Sequence, residues 1–302
     1  MLFGPLKFEP VYHPKIWGGE SWEISVHEQG PSIVAQPPSL AGLSLRELCQ
    51  TYPQAILGTD DPTFPLLIKL IDARDRLSVQ VHPDDEYARQ FSSETGKTEM
   101  WYVLHAKPGA KIIYGLKPGT TKAVLAHAIV NNTITDYLNE VPVQAGDFFY
   151  IPPGAVHAIG AGIMLVEIQQ SSNIVYRLYD WDRVDDHDQP RQLHVDHALA
   201  VIDYGFSGER FTLSDDTEQA ILTQNSYFTV EKHQFDAYTV KTISTDHFHI
   251  ITGLNGSLIV RNEHYGIDIQ PGESCLVPAC CHNYEIVTGA SAAQLLLSCL
   301  TK

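Results

Sequence analysis

The sequence predicts a mainly β protein: two small β-barrels, with a few helices packed on the first. Three observations carry that prediction. Most of the chain reads as short apolar strands separated by Gly, Pro, Asn and Asp, the even spacing of a sandwich or barrel. Helical patterns are few. One pattern occurs twice: Gln144-Ala-Gly-Asp-Phe-Phe-Tyr-Ile-Pro-Pro and Gln270-Pro-Gly-Glu-Ser-Cys-Leu-Val-Pro-Ala share Gln, Gly, an acid, an apolar strand and Pro in register.

The elements follow in order. Ser44 to Tyr52 opens with a capping-box pattern, Ser44 to Glu47, and predicts a helix. Met100 to Leu104 reads as a strand with Glu99 at its head, and Lys111 to Tyr114 as the next. Thr121 to Leu138 places Val124, Leu125, Ala128, Ile134, Tyr137 and Leu138 at helical spacing, which predicts one long helix. Asp147 to Ile151 is a strand ending in a Pro-Pro-Gly turn, and Met164 to Gln169 is another. Val195 to Ile202 is a third, shorter helix. In the second copy, Phe228 to Glu231 and Ser257 to Val260 read as strands. The polar run Leu213-Ser-Asp-Asp-Thr-Glu separates the copies. The expected domains are 1–215, with the site and the helices, and 216–302.

The net charge of −16 excludes nucleic acid and an anionic membrane as partners, but not a phosphorylated ligand met by a local cluster of cations. No apolar run approaches membrane-spanning length; Phe64-Pro-Leu-Leu-Ile-Lys-Leu-Ile is short and broken by Lys69. The start, Met1-Leu-Phe-Gly-Pro-Leu-Lys, lacks the pattern of a signal peptide, so a cytoplasmic location is expected. Five Cys, four of them in the last 28 residues and none in a Cys-x-x-Cys motif, read as reduced thiols.

Three segments of the first copy offer metal donors. Gln80 and His82 lie two apart, on one face of a strand. Glu99 heads a second strand, and His157 follows the turn after a third. Two imidazoles, a carboxylate and an amide oxygen, without a thiolate, suit zinc or another borderline divalent ion. Alone, His82 is an ordinary core or surface histidine; the set is what points to metal. The second copy lacks the set. In the repeat's register His247 falls at Glu99 and Asn283 at His157, with His282 one position off. A second metal site from His247, His249 and His282 is set against the plainer reading as non-ligand histidines.

Several motifs occur together and in order: Ile16-Trp-Gly-Gly, Phe64-Pro-Leu-Leu-Ile-Lys-Leu-Ile-Asp-Ala, Gln80-Val-His-Pro-Asp-Asp, Gly96-Lys-Thr-Glu-Met-Trp-Tyr, Pro153-Gly-Ala-Val-His-Ala-Ile-Gly and Tyr176-Arg-Leu-Tyr-Asp-Trp-Asp-Arg. In these the chain resembles the short bacterial form of the type I mannose-6-phosphate isomerases, in the cupin superfamily. The distinctive motifs run from Ile16 to about Arg183; beyond, the resemblance is one of architecture. It implies two cupin barrels (double-stranded β-helices), one zinc per chain on Gln80, His82, Glu99 and His157, and a catalytic arginine at Arg177. It also places Ser78 and Lys97 in the substrate pocket and Glu167 near an acid/base position.

The implied reaction interconverts mannose 6-phosphate and fructose 6-phosphate through a cis-enediol. Glu167 is the favoured base. Lys97 is the alternative if burial and the metal depress its pKa. Glu167 has a plainer reading, as a group that orients a ligand or pairs with Arg177, and Arg177 has one as an ion-pair partner of Asp180 or Asp182. Ser78 has one as a strand hydroxyl bonded to backbone, and Trp17 and Trp22 read as packing. Two other functions are weighed: a non-catalytic sugar-phosphate-binding sensor or scaffold, and an iron dioxygenase, for which more His ligands are expected. Oligomeric state is left open.

Overall fold

The computed structural model describes residues 3–184, 187–213 and 217–301. Strands dominate it and helices are few, as the patterning predicts. The chain forms two compact units, one of Met1–Tyr12, Ser21–Leu70 and Ser214–Lys302, the other of His13–Glu20 and Ile71–Leu213. The boundary expected at 215/216 lies within 214–216, outside the described residues. The division at that point is revised for the N-terminal residues, most of which join the C-terminal unit. Backbone pairing is the reason. Leu6–Glu9 runs antiparallel to Ser274–Val277, with Leu6 opposite Leu276, and pairs on its other edge with Ile33–Gln36.

In the unit of His13–Glu20 and Ile71–Leu213 a five-stranded sheet runs in the order Tyr176–Tyr179, Val79–Val81, His157–Ile159, Lys111–Leu116, Leu138–Pro142. A second sheet includes Asp147–Ile151, Glu99–Ala106 and Ile163–Gln170 as adjacent antiparallel strands. Side-chain alternation divides the interior. Ile112 and Tyr114 pack with Trp101, Phe149 and Leu165 between the sheets. Ile113, between them in sequence, faces the other way, into a cluster with Val79, Val81, Leu125 and Ala198. That outer face is covered by the helices Asp85–Phe91, Lys122–Val130 and Val195–Val201. The unit is thus an open two-sheet sandwich of barrel type, not a closed barrel.

The helices depart from expectation in three ways. The Ser44 capping box forms as read, over Leu45–Thr51, but that helix belongs to the other unit. The pattern from Thr121 to Leu138 breaks in two. Its helix ends at Val130, Asn132 takes a left-handed φ of 55°, and Leu138 already begins a strand. An Asn pair that tolerates that conformation stops the helix despite continuing apolar spacing. Asp85–Phe91 was not anticipated; Asp84 caps it by accepting from the Tyr87 N–H at 2.8 Å.

The other unit repeats the sandwich. Its seven-stranded sheet contains Thr229–Phe235, Ala293–Cys299, His249–Asn255 and Ser274–Val277 in that order. Its four-stranded sheet runs Val240–Ser244, Asn283–Thr288, Leu258–Arg261, Gly266–Ile269. The sequence repeat is one turn built twice. Gly146 and Gly272 sit at φ 89° and 88°, where a side chain is strained. The acid after each accepts from the first residue's N–H: Gln144 to Asp147 at 2.8 Å, Gln270 to Glu273 at 2.9 Å. The ladders correct the expected register by two residues. Glu99 stands opposite Ile151, and His249, not His247, stands opposite the equivalent Val277. Among the described residues no helix is long and apolar enough to cross a membrane.

Candidate metal centre

Strand ends bring the donors together. Gln80 is the middle residue of Val79–Val81 and pairs directly with His157 on one side and Arg177 on the other. His82 lies just past the end of that strand, where its carbonyl accepts from Gly154 at 2.9 Å. Glu99 begins its strand. The loop before it is pinned: Gly96 N–H donates to Asp85 Oδ1 at 2.8 Å and Lys97 N–H to Pro83 O at 3.0 Å. A Cβ on Gly96 would lie 2.5 Å from the Asp84–Asp85 backbone, so this close approach needs glycine.

His82, Glu99 and His157 are buried, and their donor atoms all lie within 4.8 Å of one another. His157 Nε2 is 3.3 Å from Glu99 Oε1, and His82 Nε2 is 3.7 Å from Glu99 Oε2. His157 Nδ1 donates to Ala155 O at 2.9 Å, which directs the Nε2 lone pair into the cluster. Burial pushes the His157 pKa down to about 4, so the ring is neutral, as a ligand must be. The Gln80 amide lies 3.3 Å from His157 Nε2, with its other end 3.5 Å from Ser78 Oγ. Half a turn of the amide presents its carbonyl oxygen to the cluster.

This set fits a divalent ion. Bonds of roughly 2.0–2.2 Å in a tetrahedron place donor atoms about 3.3–3.6 Å apart. The 3.3 Å separations of His157 from Glu99 and Gln80 and the 3.7 Å of His82 from Glu99 lie close to that. Two neutral imidazoles, one carboxylate and one amide would leave such an ion a net positive charge toward an anionic ligand.

The other expected residues border the cluster. Lys97, buried, places Nζ 2.7 Å from Glu99 Oε2, 3.4 Å from His82 Nε2 and 3.6 Å from Glu167 Oε1. Burial works against its charge, but Glu167 and Glu99 together outweigh it and raise its pKa above the usual lysine range. Glu167 stands opposite Trp101 on the neighbouring strand and accepts from the indole N–H at 3.0 Å. The Trp101 ring meets His157 edge-on, centroids 5.3 Å apart. Arg177, half-buried, donates from Nε to Ser78 Oγ at 3.2 Å and from Nη1 to Gln192 O at 2.6 Å. Asp180 is instead engaged by Arg183 at 2.6 Å and Arg191 at 2.7 Å, and Asp182 accepts from the Tyr179 hydroxyl at 3.1 Å. Trp17 and Trp22 are buried.

Sequence reasoning missed Trp101 and the Asp180–Arg183–Arg191 cluster. Trp101 had a signal: it lies two residues from Glu99 on a strand, hence on the same face. His249 and Tyr284 of the other unit hydrogen-bond at 2.9 Å, and among the described residues His82, Glu99 and His157 form the one metal-type cluster of His, Cys, Asp and Glu. A cavity of about 760 Å³ lies in that other unit, lined by residues including Arg261, His264, Cys280 and Cys281, apart from these groups.

Comparison with known proteins identifies the family. Residues 7–102 match the phosphomannose isomerase type I catalytic domain, and residues 217–297 match the mannose-6-phosphate isomerase cupin domain. A mannose-6-phosphate isomerase of Streptococcus mutans is 37% identical, the match covering 91% of this chain and 92% of the relative. One of Bacillus subtilis is 36% identical, covering 92% and 94%. A crystal structure of the mannose 6-phosphate isomerase of Bacillus subtilis superposes with a TM-score of 0.88 at 31% identity, covering 98% of this chain and 99% of that one. Its two units are therefore cupin sandwiches, and the chain belongs to the type I mannose-6-phosphate isomerase family of enzymes.

Proposed function

We propose that this chain interconverts mannose 6-phosphate and fructose 6-phosphate through a cis-enediol, with one zinc per chain on Gln80, His82, Glu99 and His157. The observation that carries the reading is the convergence of those four donors beside a carboxylate, Glu167, an ammonium, Lys97, and a guanidinium, Arg177, that are not themselves in the donor set. The family's substrate supplies the rest. Zinc held by these residues would supply a Lewis acid that offsets negative charge on the sugar.

The chain's own groups supply the proton and charge handling. Glu167 takes the proton from C2 of the open-chain aldose and returns it to C1. As it does so, the C1 oxygen gains negative charge; it takes up the proton that the C2 hydroxyl gives up, and C2 becomes the carbonyl. Lys97, fixed between Glu99 and Glu167, donates to the sugar oxygens and balances that charge. Arg177, anchored by Ser78, presents the rest of its planar fork to the developing oxyanion or to the phosphate.

The test is metal content and isomerase activity measured on one preparation. We expect about one zinc per chain, loss of activity on chelation and recovery when zinc is restored. Full activity in a metal-free sample would remove the zinc assignment. A zinc-loaded protein that binds sugar phosphate without turnover would instead make it a sensor.

A further inference from the structure

We propose that Trp101 is a positioning residue for the isomerisation, holding Glu167 in place through its indole N–H. The inference rests on Glu167 acting as the base, as argued above. A carboxylate on a strand turns freely about its terminal torsion unless its oxygens are claimed. Here one oxygen accepts from Trp101 Nε1 at 3.0 Å and the other faces Lys97 Nζ at 3.6 Å. The indole itself cannot turn. It is 1% exposed, and its ring packs edge-on against His157, 5.3 Å between centroids. Trp101 and Glu167 are direct Cα partners across an antiparallel ladder, so backbone pairing sets their separation. One buried side chain thus joins the candidate base to a candidate metal ligand. The N–H also favours the ionised carboxylate, the form that accepts a proton.

Trp101→Phe keeps an aromatic ring beside His157 and removes the donor, together with part of the ring volume; the Tm shows the cost of that lost volume. It is compared with Glu167→Gln and with the double variant, for turnover of mannose 6-phosphate, KM, bound zinc and Tm. We expect kcat of Trp101→Phe to fall roughly 10- to 100-fold, the usual effect of losing a hydrogen bond to a charged group. KM is expected to stay within about twofold, with zinc unchanged. The double variant is expected to be no slower than Glu167→Gln alone, because Trp101 acts through Glu167. A kcat within about twofold of wild type overturns the proposal. So does a double variant whose loss is the product of the single losses, or zinc lost from Trp101→Phe, which places the role at His157. If Trp101→Phe fails to fold, a benzothienyl-alanine at position 101, with sulfur in place of N–H, tests the same donor. Its expected result is the same fall, and wild-type kcat overturns the idea. A zinc-loaded wild type without turnover defeats the reading of function itself. Active wild type with unaffected variants defeats only the role of Trp101.

Discussion

The two sandwiches share a turn, a ladder register and an apolar interior, yet among the described residues only one carries a metal-type cluster of His, Cys, Asp and Glu. The comparison can be made residue by residue. His157 pairs with Gln80, and Asn283, which begins the equivalent strand, pairs with Ser244. Glu99 and His249 occupy the same rung. In the first unit these strand-end groups point their lone pairs at one another. In the second they satisfy each other or a neighbour: Ser244 donates to Asn283 at 2.7 Å, and His249 bonds Tyr284. The frame is common to both, and the chemistry rests on the residue type at a handful of strand ends.

Breaking the larger side of this comparison should have the largest effect. His157→Ala removes one of the donors, and both bound zinc and activity are expected to be lost. The loss should exceed the roughly 10- to 100-fold typical of removing a residue that only orients a ligand. The matched change, Asn283→Ala, and His249→Ala in the other unit should leave zinc at about one per chain and activity near wild type. Metal analysis beside rate measurements checks all three. A second equivalent of metal that disappears with His249→Ala would make the two units alike.

Arg177→Ala comes next, because Val240–Ser244 lies at the edge of its sheet, so that among the described residues no strand there takes the place of Tyr176–Tyr179. We expect kcat to fall about 100- to 1000-fold, with zinc and Tm near wild type. Arg177→Lys should also be poor, since a point charge cannot replace a fork held on Ser78 and Gln192. A rise in KM with kcat unchanged would assign Arg177 to the phosphate instead.

The smallest effect sharpens the other side. The second unit also buries a carboxylate, Glu23, which belongs to no metal-type cluster among the described residues. Burial pushes its pKa up to about 7, and Glu273 adds to this, while the Ser21 hydroxyl bond and Lys7 oppose it. Between the unfolded value of 4.5 and 7 the folded form keeps a proton that the unfolded form has lost. Stability therefore falls as pH rises through that window and levels off above it. Glu23→Gln should abolish the fall and gain about 3 kcal/mol above pH 7. Thermal unfolding of both proteins at pH 5 and pH 8 measures it; equal shifts would mean Glu23 stays ionised.

Much of this was legible in the chain because it is local. Glycine at a left-handed turn, alternating apolar residues in strands and the Ser44–Glu47 box each depend on a few neighbours. The donors stood out because four polar groups of ligand type interrupt apolar strand patterns near turns. The failures arise where local signals compete or contacts are remote. Apolar spacing past Val130 continued to favour a helix, and the Asn131–Asn132 pair overrode it. Counting residues from one repeat to the next put His247 at the Glu99 rung, whereas hydrogen-bonded pairing put His249 there. Trp101 read as core, which it is; that its N–H reaches Glu167 depends on which strand lies alongside.

The sequence by itself determined the mainly β class, the repeat, the set of donor residues and the family resemblance, since residue type and spacing carry all of these. Tertiary structure alone decided that the N-terminal strands complete the C-terminal unit and that the sheets stay open. It alone decided that Arg177 rests on Ser78 while Asp180 takes Arg183 and Arg191. The physical reason is that strand pairing is non-local. Which strands meet is set by the burial of whole faces, and no window of sequence contains both partners.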